Sequence, residues 1–268
     1  MPALSGYSVR SNYIAQIQRE YGIEPAIVTS ARHPDAGLPY EVLDGIKNYR
    51  TIESDDAKPG IREFKLMRAL QRRIHEAVLE FEPHLIHAHS PVLVGIPGLI
   101  EARRNELPFV YEVRDLWENT SVDRGKFKDG SIPYRIARGL ESAVFRRANA
   151  VVTICRSLEE EIQPRVGSRT SLHVVGNGVD TDSFYPDGRN EVLIERWQLR
   201  GKLVISYIGS FQPYEGLGVL IGAMPEILKE LPNAHLMITG GRSEELEAQV
   251  AKHNIGAHVT FTGRVSHS

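Results

Sequence analysis

The stretch LVISYIGSFQPYEGLGVLIGAM (203–224) decides the fold. Seven residues of apolar, β-favouring character end at Gly209-Ser210, and the residues from 215 onward carry helical periodicity, so the segment reads as strand, tight turn, helix. A glycine at that point lets the backbone approach a ligand, and the free N–H groups of the following helix suit a phosphate or diphosphate. Such turns are common, and one alone carries little. The same grammar recurs at SGYSVRS (5–11), with no strand ahead of it, and at TGGRSEE (239–245), which adds Gly240, Gly241 and the cation Arg242, with Arg264 following the next strand.

Outward from there the pattern fills the chain. Strands are expected at 25–30, 84–90, 109–115, 150–155, 172–177, 203–209, 235–240 and 259–263, and helices at 8–21, 62–81, 92–105, 132–147, 157–165, 215–230 and 243–253. Met67, Leu70, Ile74, Val78 and Phe81 form one apolar face of the second helix. Ser157 and Glu160 have the spacing of a capping box. Alternating strands and helices imply α/β architecture with parallel sheets covered by helices, and ligands at the carboxyl ends of the strands. Turn residues cluster in TDSFYPDGRN (181–190) before the rhythm restarts, which gives an N-terminal domain at 1–187 and a C-terminal one at 188–268. The second has three strands and two helices, an incomplete doubly wound unit.

The 268 residues are 41% hydrophobic and 25% charged with a formal net charge of −2, an ordinary globular composition whose overall field does not favour nucleic acid. The single cysteine, Cys155, excludes an internal disulfide and fits a reducing compartment. With no apolar run of membrane-spanning length and no basic-then-apolar leader, the expected location is cytoplasmic. Asn119-Thr120-Ser121 then matches a glycosylation acceptor by accident.

Several strand ends carry chemistry. In YEVRDLWEN (111–119), alternation puts Glu112 and Arg114 on one face, either paired with each other or facing a cleft, with Asp115 next to them. His87 and His89 share a strand face but lack a third ligand at a recognisable spacing, so no metal is expected; one ring packs while the other can face a substrate, donating to a hydroxyl or carrying a proton. Asn177-Gly178 is a turn signal near the domain junction, followed by Asp180 and Asp182. Arg62, Lys65, Arg68, Arg72 and Arg73 make a basic helix side that reads first as a solvated face; the other reading is contact with an anionic membrane surface, with GKFK (125–128) as a second foothold.

Taken in order, SGYSVRS, IHAHSP, YEVRDLWEN, NGVDTDSF and IGSFQPYEGLGVLI resemble the GT4-type retaining glycosyltransferases of the GT-B fold. The resemblance implies two Rossmann-like domains with parallel sheets. The first takes mainly a glycan or lipid-linked acceptor and the second a nucleotide-diphosphate sugar, whose sugar is transferred with retention and without a metal or other cofactor. The expected location stays cytoplasmic, with the basic helix side giving peripheral contact at the inner face of the membrane as the alternative. Mapped onto this chain, the resemblance makes Arg114 and Asp115 catalytic candidates, joined by His89 from the shared-face reading. Gly6, Tyr7, Asn177, Gly209, Ser210, Gly240, Gly241, Arg242 and Arg264 become the donor-binding candidates. Three departures stand out. Relatives place an arginine and a lysine just after the Gly209 position, where this chain has Phe211, Gln212, Tyr214 and Glu215. The family's E-x7-E segment is expected beyond Ser268, and a first strand before Pro2, so that the chain reads as cut at both ends. A non-catalytic nucleotide- or sugar-binding subunit and a GT-B nucleotide-sugar epimerase are the alternative functions.

Overall fold

The computed structural model describes residues 6–31, 38–52, 58, 60–182 and 184–265. Ser5 and Ser183 of the quoted motifs, and residues 266–268, lie outside that description. The chain forms two compact units, Met1–Gly178 and Val179–Ser268. Their division precedes the expected boundary after Asp187. Arg10 hydrogen-bonds the carbonyls of Val175 and Gly176 and the side chain of Asn177, which holds the chain to the first unit up to that point.

The first unit runs α1 (Gly6–Glu20), β1 (Ala26–Thr29), β2 (Tyr40–Leu43), β3 (Ile46–Arg50), α2 (Ile61–Phe81), β4 (Ile86–His89), α3 (Val92–Arg104), β5 (Phe109–Val113), α4 (Trp117–Asp123), α5 (Ile132–Phe145), β6 (Ala150–Thr153), α6 (Arg156–Ile162) and β7 (Ser171–Val174). Strands β4, β5, β6 and β7 form one parallel sheet in that order. A second sheet has the order β1-β3-β2. There β1 and β3 are parallel, but β2 is antiparallel to β3, a departure from the all-parallel expectation. The hairpin turns at Asp44-Gly45, both at positive φ (49° and 76°), the primed-turn geometry that matches strand twist.

Residues 109–113 form the central strand, and Phe109, Tyr111, Val113 and Val151 of neighbouring β6 are at most 1% exposed. Helix α3 lies close on this sheet because Gly95 and Gly98 face the Tyr111 and Phe109 rings; a Cβ on Gly95 would come within 2.6 Å of Tyr111. The apolar face of α2 buries Leu70, Ile74 and Val78 against Val28 of β1 and Ile86 of β4, so one helix seals both sheets. Leu66, rather than the expected Met67, completes that face. Helix α6 begins at Arg156 with Cys155 as its N-cap and no side-chain cap, so the expected Ser157–Glu160 capping box does not form: Ser157 already lies within the first turn.

The second unit contains α7 (Glu191–Arg196), β8 (Leu203–Gly209), α8 (Leu217–Glu230), β9 (Ala234–Gly240), α9 (Glu244–Lys252) and β10 (Val259–Gly263), with its parallel strands ordered β10-β9-β8. Ile221 and Met224 of α8 pack on Leu236 and Ile238 of β9, all with no exposure. Among the described residues, no helix is long and apolar enough to cross a membrane.

Candidate active site

At the carboxyl ends of β4 and β5, the register sets His89 beside Glu112. Glu112 is the hub. Its Oε1 accepts from Arg114 Nε at 2.8 Å and from Arg10 Nε at 3.0 Å, while Oε2 lies 3.4 Å from His87 Nε2 and 4.0 Å from His89 Nε2. Of the two sequence readings, pairing is therefore the one realised: Arg114 is buried against Glu112. Burial works to raise the Glu112 pKa, but the close His87 and His89 rings and the Arg114 guanidinium outweigh it and hold the carboxyl well below its usual range.

Arg114 also donates to the Tyr7 carbonyl at 2.8 Å, to Ser11 Oγ at 3.1 Å and to His89 Nδ1 at 2.7 Å. A guanidinium can only donate, so His89 Nδ1 is the acceptor and the neutral ring carries its proton on Nε2. Burial, then the neighbouring His87 and Arg114, push the His89 pKa down to about 3, so the ring stays neutral across the physiological range. His87 Nε2, His89 and Glu112 offer three potential metal-ligand atoms within 4.8 Å of one another, with Glu112 as the third ligand that spacing did not reveal. Two guanidinium groups already balance that carboxylate, and a divalent cation would be repelled by both.

Asp115 is held differently. Its carboxylate accepts from Tyr7 OH at 3.1 Å, Thr120 Oγ1 at 3.0 Å and Ser90 Oγ at 3.3 Å, three hydroxyls from α1, α4 and the loop after β4. Thr120 belongs to the glycosylation-like triplet, whose Asn119 side chain accepts from Tyr134 OH and whose Ser121 is buried. Behind this layer, Glu141 of α5 accepts from Tyr111 OH at 2.5 Å and from the Val92 N–H at 3.2 Å, capping α3. Burial raises the Glu141 pKa to about 7. Arg165 pairs with the buried Glu118 at 2.9 Å.

The structure thus gathers Tyr7, His89, Arg114 and Asp115, and reaches Asn177 through Arg10, whose Nη1 lies 2.7 Å from Asn177 Oδ1. Tyr7, expected among the donor residues, is bonded to Asp115. Gly6 opens α1, and among the described residues nothing beyond its chain neighbours and its own helix backbone lies within 4 Å of where its Cβ would stand. Sequence reasoning missed Arg10 and Ser11 as members of the cluster. Their spacing from Tyr7, three and four residues on a helix, was the available signal.

In the second unit, Gly209 and Gly240 are register partners at the ends of β8 and β9. A Cβ on Gly240 would stand 2.1 Å from the Gly209 carbonyl oxygen, so that approach requires glycine. Gly240, Gly241, Arg242 and Arg264 line an open cleft of about 580 Å³ together with Phe261 and Thr262. Arg242 Nε lies 3.1 Å from Glu247. Ser210 turns away to hydrogen-bond Glu215 at 3.4 Å.

Comparison with known sequences defines the class. Residues 5–178 match the glycosyl transferase 4-like domain, and residues 191–268 match glycosyl transferases group 1. The chain belongs to the GT4-like family of glycosyltransferases. It is 26% identical over 227 residues to a GDP-mannose-dependent α-mannosyltransferase of Mycobacterium tuberculosis, covering 83% of this chain and 56% of that protein. It is 32% identical over 126 residues to a phosphatidyl-myo-inositol mannosyltransferase of the same species, covering 42% of this chain and 32% of that one. The chain thus spans little more than half the length of the longer-matched relative.

Among solved structures, sucrose-phosphate synthase from Thermosynechococcus elongatus superposes with a TM-score of 0.76 at 18% identity, over 98% of this chain and 66% of that one. A UDP-forming α,α-trehalose-phosphate synthase from Burkholderia xenovorans gives 0.66 at 10% identity, over 97% and 72%. These likenesses concern the fold, which is of the GT-B class.

Proposed function

We propose that the protein is a retaining glycosyltransferase that moves a sugar from a nucleotide-diphosphate donor to a glycan or lipid-linked acceptor, with no metal. The observation that carries this reading is Asp115, a carboxylate at a strand end fixed by three hydroxyls beside a neutral His89. An acceptor hydroxyl can hydrogen-bond to that carboxylate, and the Nε2–H of His89 can donate to a sugar oxygen. Arg114 holds His89 in its tautomer, and Glu112 holds Arg114. In the second unit, Arg242 and Arg264 offset the charge that develops on the departing diphosphate.

Two relatives are named for mannose transfer, one of them for GDP-mannose, so GDP-mannose is the first donor to test and UDP-sugars the second. The reading also takes the protein to be cytoplasmic and peripheral at the inner membrane face. Exposed Lys65, Arg68 and Phe64 of α2 would meet anionic lipid there.

The test is sugar transfer from a panel of GDP- and UDP-sugars to glycan and lipid acceptors, with the product anomer assigned by NMR. Expected is an α-linked product from an α-linked donor, with turnover lowered about a hundredfold in Asp115→Asn. Absence of transfer from every donor, by folded protein of the relatives' full length, overturns the reading.

A further inference from the structure

The turn that follows β8 contains an anion-binding arrangement already filled by a side chain of the chain itself. Glu215 closes the short helical turn Pro213–Glu215, and its carboxylate folds back over the preceding residues. Oε2 accepts from Tyr207 OH and, at 3.1 Å, from the Gln212 backbone N–H; Oε1 accepts from Ser210 Oγ at 3.4 Å. A capping box accounts for the Gln212 contact. It does not account for two hydroxyls, one on the strand and one in the turn, converging on the same carboxylate.

A backbone N–H and two hydroxyls beside Gly209, ahead of a helix whose N-cap is Gly216 and has no capping side chain, are donors that hold carboxylate and phosphate alike. No lysine or arginine occurs between Lys202 and Lys229, so the one charge in this turn is negative. That charge is felt locally: burial, then the hydrogen bond and charge of Glu215, push the Tyr207 pKa up to about 12.

We propose that Glu215 is an internal competitor for this anion site, and that a diphosphate-bearing ligand binds by displacing the Glu215 carboxylate from Tyr207, Ser210 and Gln212. The inference rests on the transferase reading for the identity of that ligand, a nucleoside-diphosphate sugar. Donor affinity is then set in part by what it costs to move Glu215 aside.

Isothermal titration of the protein, Glu215→Gln and Glu215→Ala with inorganic pyrophosphate, UDP and GDP tests it, with circular dichroism verifying that each variant is folded. Both variants are expected to bind pyrophosphate and the nucleoside diphosphate about tenfold more tightly. The Tyr207 phenol should also ionise at lower pH in Glu215→Gln, read by absorbance titration. Equal or weaker binding by both variants overturns the proposal, because a carboxylate that contributes a ligand contact loses affinity when it is neutralised. Failure of all three ligands to bind any of the three proteins overturns it as well. Tighter pyrophosphate binding without sugar transfer keeps the anion site and sinks the transferase reading; transfer with unchanged affinities does the reverse.

Discussion

In the first unit the Arg114 side chain is 4% exposed and directs its donors at Glu112, Tyr7, Ser11 and His89. In the second, the Arg242 side chain is 84% exposed and pairs with Glu247. Both cations stand at the ends of parallel strands, after runs of similar apolar character. The first is embedded in a site whose geometry the protein completes by itself; the second stands in an open cleft where little besides a ligand would fix it. A buried charge network of this kind keeps its geometry without substrate, whereas an exposed cation acts only when an anion arrives.

The strongest way to break this contrast is Glu112→Gln. Removing one partner of a buried pair leaves Arg10 and Arg114 facing each other without compensation, and the first unit should lose about 3–5 kcal/mol, read from urea unfolding followed by its tryptophan signal. A loss below about 1 kcal/mol would mean that water already screens the network.

The next effect depends on pH. The folded-state pKa of Glu141, about 7, lies above the ordinary 4.5, so the folded protein keeps a proton that the unfolded chain releases. The stability this group contributes is fully present below pH 4.5 and falls as pH rises through 7, by about 3 kcal/mol at most. Glu141→Gln should flatten that part of the profile between pH 5 and 8 in urea melts; a profile parallel to that of the parent protein would show that the carboxyl is ionised throughout.

Smallest in stability is Arg242→Ala, which should leave the melting temperature unchanged because its pair with Glu247 lies in solvent. Its effect belongs to ligand binding: affinity for a nucleoside diphosphate should fall about tenfold by calorimetry. If the melting temperature moved instead, the cleft would be as prebuilt as the Asp115 site.

Most of the architecture was readable along the chain. Strands β5 and β9 are mostly apolar because both faces are covered, and α2 shows its buried face at three- and four-residue steps. What escaped has a local cause. Strand β2 is half exposed, and β3, though largely buried, carries Lys47, Asn48 and Arg50, so the hairpin's apolar signal is weak, although Asp44-Gly45 is a turn signal that announces it. Helices α4 and α7 span seven and six residues, too few to establish a period. The false capping box arose because spacing alone does not say where the first helical turn begins.

For the site, two-residue alternation placed His87 with His89 and Glu112 with Arg114 on shared faces, and the glycine turns marked where backbone approaches closely. The sequence by itself therefore determined the strand–turn–helix grammar, the residue types at the strand ends and the negative charge in the turn after β8, all set by local steric and periodic rules. Which of these residues meet was decided by tertiary structure. Arg10 lies 102 positions from Glu112, Tyr7 lies 108 from Asp115, and Glu215 reaches back to Tyr207 only because the turn doubles over. Hydrogen bonds and burial act across space, and no period along the chain encodes which donor will reach which carboxylate.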